Sequence, residues 1–466
     1  MKLSLIKAPN TFIIIFSLIF LTALLTWIIP AGEYARHEVN GRQVVLNNTF
    51  HYVKSNPQGL GDILLSPIKG FVDAALIIGL VFIVGGAFNI FHKTEAVDAA
   101  ILGIVKVHNK SALMRAVLIP ALMITFSFGG ATFGMSEEVI PFILVFIPLA
   151  LMLGYDTITG IAIPFIGAGA GFAGAFLNPF TIGIAQEISG LQLFSGIGYR
   201  IFCWIVVTAT AILFVVRYAE RVKKKPELSC TYLSDIEKRK GIHVSEIQNF
   251  SGLNNRHKAV LIIFLLGLIV LVTGVLKYKW YIEEITAVFL VTGIAVGIAG
   301  KLKPGEITDA FVQGAKDMAS TALVIALARG ILIVSRDGKI IDSLLYQLSA
   351  PLSGMHSILS SQAMFLVQTF INFFVPSGSG QAVLTMPIMS PLSDLVHVTR
   401  QTAVLAFQFG DGFSNMIIPT SAVTMSVLAL ANVPWEKWAK WVLPLEIIFL
   451  IVGMLLLVPP FFFNWQ

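Results

Sequence analysis

Apolar runs of about 20 residues recur nine times along the chain, and each is long enough to cross a bilayer. They cover residues 11–30, 70–91, 157–177, 197–217, 258–277, 283–300, 318–335, 399–430 and 437–460. Of the 466 residues, 56% are hydrophobic and only 12% are charged, about half the charge of a soluble domain. The pattern predicts an all-α polytopic membrane protein with little room for a soluble domain. MKLSLIKAPN leads straight into the first run, which is therefore expected to stay as a helix rather than leave as a signal peptide. Cys203 lies inside a run and Cys230 in a polar stretch, so no disulfide framework is implied.

Basic residues set the expected orientation. The longest polar stretch, 217–258, is crowded with Lys and Arg and reads as a solvated cytoplasmic linker. Lys2 and Lys7 place the N-terminus on the same side. The net charge of +6 is no sign of nucleic acid, because its carriers collect in short loops. Residues 1–30 are then a first transmembrane helix, 31–69 an extracytoplasmic loop, 70–218 one half of the chain, 219–257 the linker and 258–466 the other half. HKTEAVDAAILGIVKVHNK (92–110) reads as an amphipathic interfacial helix. Residues 111–155 are apolar but interrupted at 127–136, which fits a re-entrant hairpin entering from the cytoplasm. Such a break is tolerated at membrane depth only where protein or water surrounds it.

The two halves are related. GFVDAALIIGLVFIVGG (70–86) resembles GAKDMASTALVIALARG (314–330), pairing Asp73 with Asp317 and Gly86 with Gly330 at an offset of 244 (317 − 73, 330 − 86). Asp98 pairs with Asp342 at the same offset; Phe128, Gly134 and Pro141 pair with Phe374, Gly380 and Pro387 at 246. Four crossings separate the related helices, so the second copy is inverted. A second hairpin, about 357–394, then enters from outside. The expectation is nine transmembrane helices, two opposed re-entrant hairpins and two discontinuous helices, the pattern of secondary transporters with substrate near the midplane.

Four interrupted elements should meet at that site. Hairpin tip one carries Ala131, Thr132, Ser136, Glu137 and Glu138; tip two carries Ser377, Gly378, Ser379, Gly380 and Gln381. One helix breaks at Asn178-Pro179, the other around Asp411, Ser414, Asn415, Pro419 and Thr420. Proline frees the carbonyl a turn earlier, and half-helix N-termini offer N–H groups to an anion. Freed carbonyls and hydroxyls suit Na⁺. Acids at this depth are functional by default. Glu137, Glu138 and Asp411 suit a cationic or zwitterionic ligand or a proton, with one glutamate of the pair open to a helix-capping role. Substrate-binding candidates are Thr132, Ser136, Glu137, Glu138, Asn178, Ser377, Ser379, Gln381, Asp411, Asn415 and Thr420. Arg329 reads as counter-ion to these acids or as a carboxylate clamp, the counter-ion reading being preferred. Asp73 and Asp317 read as solvated or capping, and Trp435 and Trp438 as interfacial anchors.

GGATFGMSEEVIPF, FLNPFTIGIAQ and FINFFVPSGSGQAVLTMPIMSPLSDL resemble the basic amino-acid antiporter family, which includes arginine/ornithine exchangers and is related to the anaerobic C4-dicarboxylate carriers. The resemblance covers nearly the whole chain. It implies an elevator mechanism, a homodimer and a bacterial inner-membrane location, with the family's tip motifs falling on Ser136-Glu137-Glu138 and Ser377-Gly378-Ser379. The Ser-Asn-Thr tip of sodium-coupled relatives is absent from both tips. The function expected is secondary transport of an amino acid, most simply a cationic one such as arginine or ornithine. The alternative is a Na⁺- or H⁺-coupled carrier of C4-dicarboxylates or other carboxylates. No cofactor is called for, and the metal question stays open.

Tyr155-Asp156 and Gly410-Asp411 resemble the paired acids of intramembrane aspartyl proteases, but Asp156 falls at the cytoplasmic boundary and Asp411 lies deep, and the duplication has no place in such an enzyme. A channel would share the broken helices but would not show counterflow.

Overall fold

The computed structural model describes residues 11–39, 42–240, 252–278, 280–463 and 465. Lys2, Lys7 and residues 241–251 of the expected linker lie outside the described residues. The chain opens with α1 (Thr11–Ile28), followed by two small antiparallel ladders: β1 (Gly32–Glu33) pairs with β4 (His51–Tyr52), and β2 (Arg36–Val39) with β3 (Arg42–Val45). Then come α2 (Leu60–Asp73), α3 (Ala75–Lys93), α4 (Ala96–Lys110) and α5 (Ala112–Phe133). A 3₁₀ turn at Glu137–Phe142 leads into α6 (Ile143–Met152), and α7 (Thr157–Ala173) ends before a π-helical turn at Pro179–Gly183 and α8 (Ile184–Ile188). α9 (Ile197–Lys224) and α10 (Tyr232–Lys240) complete the first half.

The second half repeats this order. α11 (Asn255–Tyr278) leads to α12 (Ile282–Ala299), α13 (Pro304–Asp317), α14 (Ala319–Asp337) and α15 (Ile341–Ser349). α16 (Ser357–Phe374), α17 (Gly378–Leu395), α18 (Arg400–Ser414), α19 (Ala422–Ala431) and α20 (Trp435–Leu456) follow. The breaks correspond: α2 gives way to α3 at Ala74, and α13 to α14 at Met318, 244 residues on (318 − 74).

Small residues let the related helices cross closely. A side-chain carbon at Gly70 would lie 2.3 Å from the Ala326 carbonyl oxygen, and one at Gly314 would lie 2.3 Å from that of Gly85. Low residue numbers of one helix thus meet high numbers of the other, so α2–α3 and α13–α14 run antiparallel with a pseudo-two-fold between them. The same symmetry pairs α5 with α7 and α16 with α18 in packing. Aromatic rings fill the interior around α18: Phe413 stacks on Phe449 at 4.8 Å and on Phe409 at 5.2 Å between ring centroids.

Eight helical stretches among the described residues are long and apolar enough to cross a membrane: α3, α5, α9, α11, α12, α13–α14 taken together, α16 and α20. This differs from the nine crossings expected. α5 and α16, expected as half-length hairpin limbs, reach 22 and 18 residues. α1 and α7, read as crossings, are among the shorter apolar helices. The period of the apolar pattern gives the helix, whereas its length is set by where glycine, proline and caps stop it.

Two boundaries move for local reasons. The expected loop 31–69 already turns helical at Leu60, where the Asp62 carboxylate accepts the Gly59 N–H at 3.0 Å. The basic linker is not a solvated tether over its first part. Asp235 of α10 is buried and accepts hydrogen bonds from the Thr157 N–H (3.0 Å) and hydroxyl (2.5 Å) at the start of α7. Lys238 donates to the Ala431 carbonyl at the end of α19 (2.8 Å), and Arg239 to the Tyr155 carbonyl (2.5 Å). Burial lowers the Lys238 ammonium from its ordinary pKa.

Candidate functional site

A cavity of about 210 Å³ lies where the interrupted elements converge. Its walls come from the turn after α5, the start of α17, the breaks after α7 and α18, and the kink between α2 and α3. Each part is where the sequence stops a helix. α5 ends at Gly134, whose φ of +75° is left-handed and favours glycine. Asn178 caps the π-helical turn, its Oδ1 accepting from the Phe180 N–H at 2.9 Å, and Pro179 takes the first helical position. The N–H groups of Phe176 and Leu177 donate across to the Ala131 carbonyl, joining the first break to the first tip.

The second half does the equivalent with a side chain. Nδ2 of Asn372 donates to the Asp411 carbonyl (3.1 Å), the Ser414 hydroxyl (2.8 Å) and the Asn415 Oδ1 (2.9 Å). Ser377 caps α17, its hydroxyl accepting from the Gly380 N–H at 3.3 Å. Gly378 and Ser379, whose N–H groups open α17 without a helical partner, line the cavity.

Six of the residues expected at a site line this cavity: Ser136, Glu137, Ser377, Ser379, Asn415 and Thr420. The other five stand behind its walls. Thr132 returns its hydroxyl to the Phe128 carbonyl (2.6 Å). Glu138 accepts the Ser136 N–H at 2.9 Å and is 8% exposed, so it braces the 3₁₀ turn while Glu137 faces the cavity. Asn178 caps, and Gln381 binds the Gln368 carbonyl (2.9 Å) and Oε1 (2.7 Å). Asp411 is fully buried and accepts from the Asn415 Nδ2 at 3.1 Å. Among the described residues its Oδ2, the Thr181 and Thr420 hydroxyls and the Asn178 Nδ2 have no hydrogen-bond partner. Buried polar atoms are normally paired, so this concentration around one cavity marks it out.

Three sequence expectations change. Asp73, read as solvated or capping, ends α2 at the kink and lines the cavity with Arg329. Arg329 makes its direct ion pair with Asp73, its Nε 2.5 Å from Oδ2, while its charge also reaches Glu137 among the deep acids. Trp438, read as an interfacial anchor, is fully buried; its indole N–H donates to the Met416 carbonyl, and that of Trp435 to the Ile417 carbonyl, both at 2.8 Å. They satisfy backbone freed by the second break. Phe172, Phe180, Thr181 and Tyr281 also line the cavity. Nothing in their local sequence distinguishes them from ordinary apolar or interfacial positions.

A model of the C4-dicarboxylate anaerobic carrier family matches residues 8–461 of the chain. The chain is 35% identical to the protein named "Putative basic amino acid antiporter YfcC" of Escherichia coli strain K12, over 93% of this chain and 92% of that one. It is 27% identical to an uncharacterized protein of Haemophilus influenzae, over 97% and 96% of the respective chains. The crystal structure of the Alcanivorax borkumensis YdaH transporter aligns over 98% of this chain and 99% of that one, with 16% identity and a TM-score of 0.43.

Proposed function

Because the chain belongs to the C4-dicarboxylate anaerobic carrier family and is a multi-pass membrane transporter rather than an enzyme, we propose that it exchanges amino acids, preferring those with a cationic side chain such as arginine or ornithine. One observation carries this reading. The charged residues lining the cavity are Asp73, Arg329 and Glu137, and the first two pair with each other. Glu137 is the lining acid that makes no ion pair among the described residues, although the charge of Arg329 reaches it. A cationic side chain would neutralise it, whereas a dianion would be repelled at low dielectric. The opening N–H groups of α17 and the hydroxyls of Ser377, Ser379 and Thr420 serve the neutral and anionic parts of a zwitterion. The name of the Escherichia coli relative supports the same class.

The mechanism we propose is an elevator in a homodimer of the bacterial inner membrane, with the N-terminus cytoplasmic. α5–α8 and α16–α19 would form the moving part, as two opposed re-entrant hairpins and two broken helices. α1–α3 and α11–α14 would form the frame. Exchange or H⁺ coupling is favoured over Na⁺, since neither tip carries Ser-Asn-Thr, and the buried Asp411 would carry the proton. The rival substrate is a C4-dicarboxylate, favoured by the matching family's description and by Arg329 on the wall of the cavity that the α17 N-terminus also lines.

Thermal shift of the purified protein separates them. Arginine, ornithine and lysine should raise the melting temperature while succinate and fumarate do not; the converse would sink the cationic reading. Counterflow in proteoliposomes tests exchange, and a channel would show none.

A further inference from the structure

Arg329 sits where the pseudo-symmetry leaves it without a counterpart. The offset of 244 that relates Asp73 to Asp317 and Gly86 to Gly330 puts Gly85 opposite Arg329 (329 − 85). Met318 covers Gly85, and Asp317 accepts a hydrogen bond from Gln313 at 2.9 Å instead of pairing with an arginine. The duplication explains the helix kinks in both halves, but it does not explain the guanidinium, which appears in one half alone and on the cavity wall.

The geometry around Asp73 says what that group is ready to do. Asp73 holds Arg329 by Nε at 2.5 Å through one carboxylate oxygen, and Arg336 by Nη1 at 3.2 Å through the other. Arg336 is shared with Asp337 at 3.8 Å, so Asp73 holds Arg329 by one edge and Arg336 divides its charge between two carboxylates. With Nε engaged, the two terminal Nη groups of Arg329 make no hydrogen bond within the described residues. A guanidinium fixed by Nε presents a planar fork that matches the two oxygens of a carboxylate.

We propose that Arg329 binds the α-carboxylate of the transported amino acid, that Asp73 positions its guanidinium, and that the substrate spans the cavity from Arg329 to Glu137. This rests on the amino-acid reading above and adds to it the direction in which the substrate lies.

The test compares two probes that differ only in the carboxylate. L-Arginine and agmatine, its decarboxylated form, are titrated against purified wild-type protein and Arg329→Gln, with binding followed by thermal shift and by radioligand in nanodiscs. Arginine affinity should fall about tenfold to a hundredfold, the usual effect of deleting a charge-assisted hydrogen bond, while agmatine affinity stays within about twofold. Equal losses for both probes would overturn the proposal. Arg329→Lys keeps the charge and covers the case in which the glutamine variant does not fold; its loss should again be confined to arginine. Asp73→Asn should weaken arginine alone, with recovery in Asp73→Glu. If wild type binds neither arginine nor agmatine but binds succinate, the amino-acid reading falls. The clamp then stands if Arg329→Gln removes succinate binding, and falls if it does not.

Discussion

The indole N–H of Trp438 ends 2.8 Å from the carbonyl oxygen of Met416, inside a break in the second half where that carbonyl has no helical partner. Trp435 treats Ile417 in the same way. Two rings from the start of α20 thus carry hydrogen bonds that an unbroken helix would supply itself.

Trp438→Phe keeps most of the ring volume and removes the donor. A buried carbonyl left unsatisfied costs about 1–3 kcal/mol. The variant should unfold at a lower temperature in detergent, and substrate affinity should fall with it because Asn415 and Thr420 lie on the same break. An unchanged melting curve would show that the indole is mere filling.

The adjacent glutamates should separate in their effects. Glu137→Gln removes the lining carboxylate that makes no ion pair, so it should abolish binding of cationic amino acids with little change in melting temperature. Glu138→Gln exchanges a carboxylate acceptor of the Ser136 N–H for a weaker amide and should cost stability, about 0.5–2 kcal/mol by analogy with lost caps, with binding largely kept. Melting curves and ligand titrations on both variants check this, and identical profiles would refute the division of roles.

Gly314→Val tests the crossing of the related helices. Its side chain would run into the Gly85 carbonyl, 2.3 Å from the first added carbon. Overpacking typically costs about 1–3 kcal/mol, and contact with backbone leaves little room for relief. The variant should express poorly or melt early. The opposite substitution surface is available at Gly305, where nothing lies within 4 Å of an added carbon, so Gly305→Ala should be tolerated.

Asp235→Ala probes the docking of α10. It leaves the Thr157 N–H and the hydroxyls of Thr157 and Thr231 without their acceptor. Trypsin should then cut more rapidly at Arg239 and Lys240, read by gel and mass spectrometry. Cleavage at the wild-type rate would mean that the segment is held by other contacts.

Much of the fold could be read in advance because its determinants are local. Gly134, Pro179 and Pro419 stand where helices stop, flanked by polar residues that cap the break, and the matched aspartates at 73 and 317 expose the duplication. What escaped depends on partners far away in sequence. Asp73 meets Arg329 across 256 residues and Asp235 meets Thr157 across 78. No local pattern announces either pair. Trp435 and Trp438 misled for a related reason: tryptophan beside lysine near an apolar run ordinarily signals the membrane interface, and only the folded chain brings the open carbonyls of Met416 and Ile417 within reach. The glutamate pair lay between these cases, since its two roles were foreseeable but their assignment to Glu137 and Glu138 required the turn itself.

Arg329 has no twin, and in the proposed elevator the two halves would inherit that inequality. A solute arriving from one compartment would meet a guanidinium; one arriving from the other would meet the Met318 thioether over Gly85. Half-saturation should therefore come at different concentrations on the two sides of a single bilayer. Detailed balance then obliges the forward and return turnover rates to differ in compensation, giving the molecule a built-in sidedness that owes nothing to any gradient.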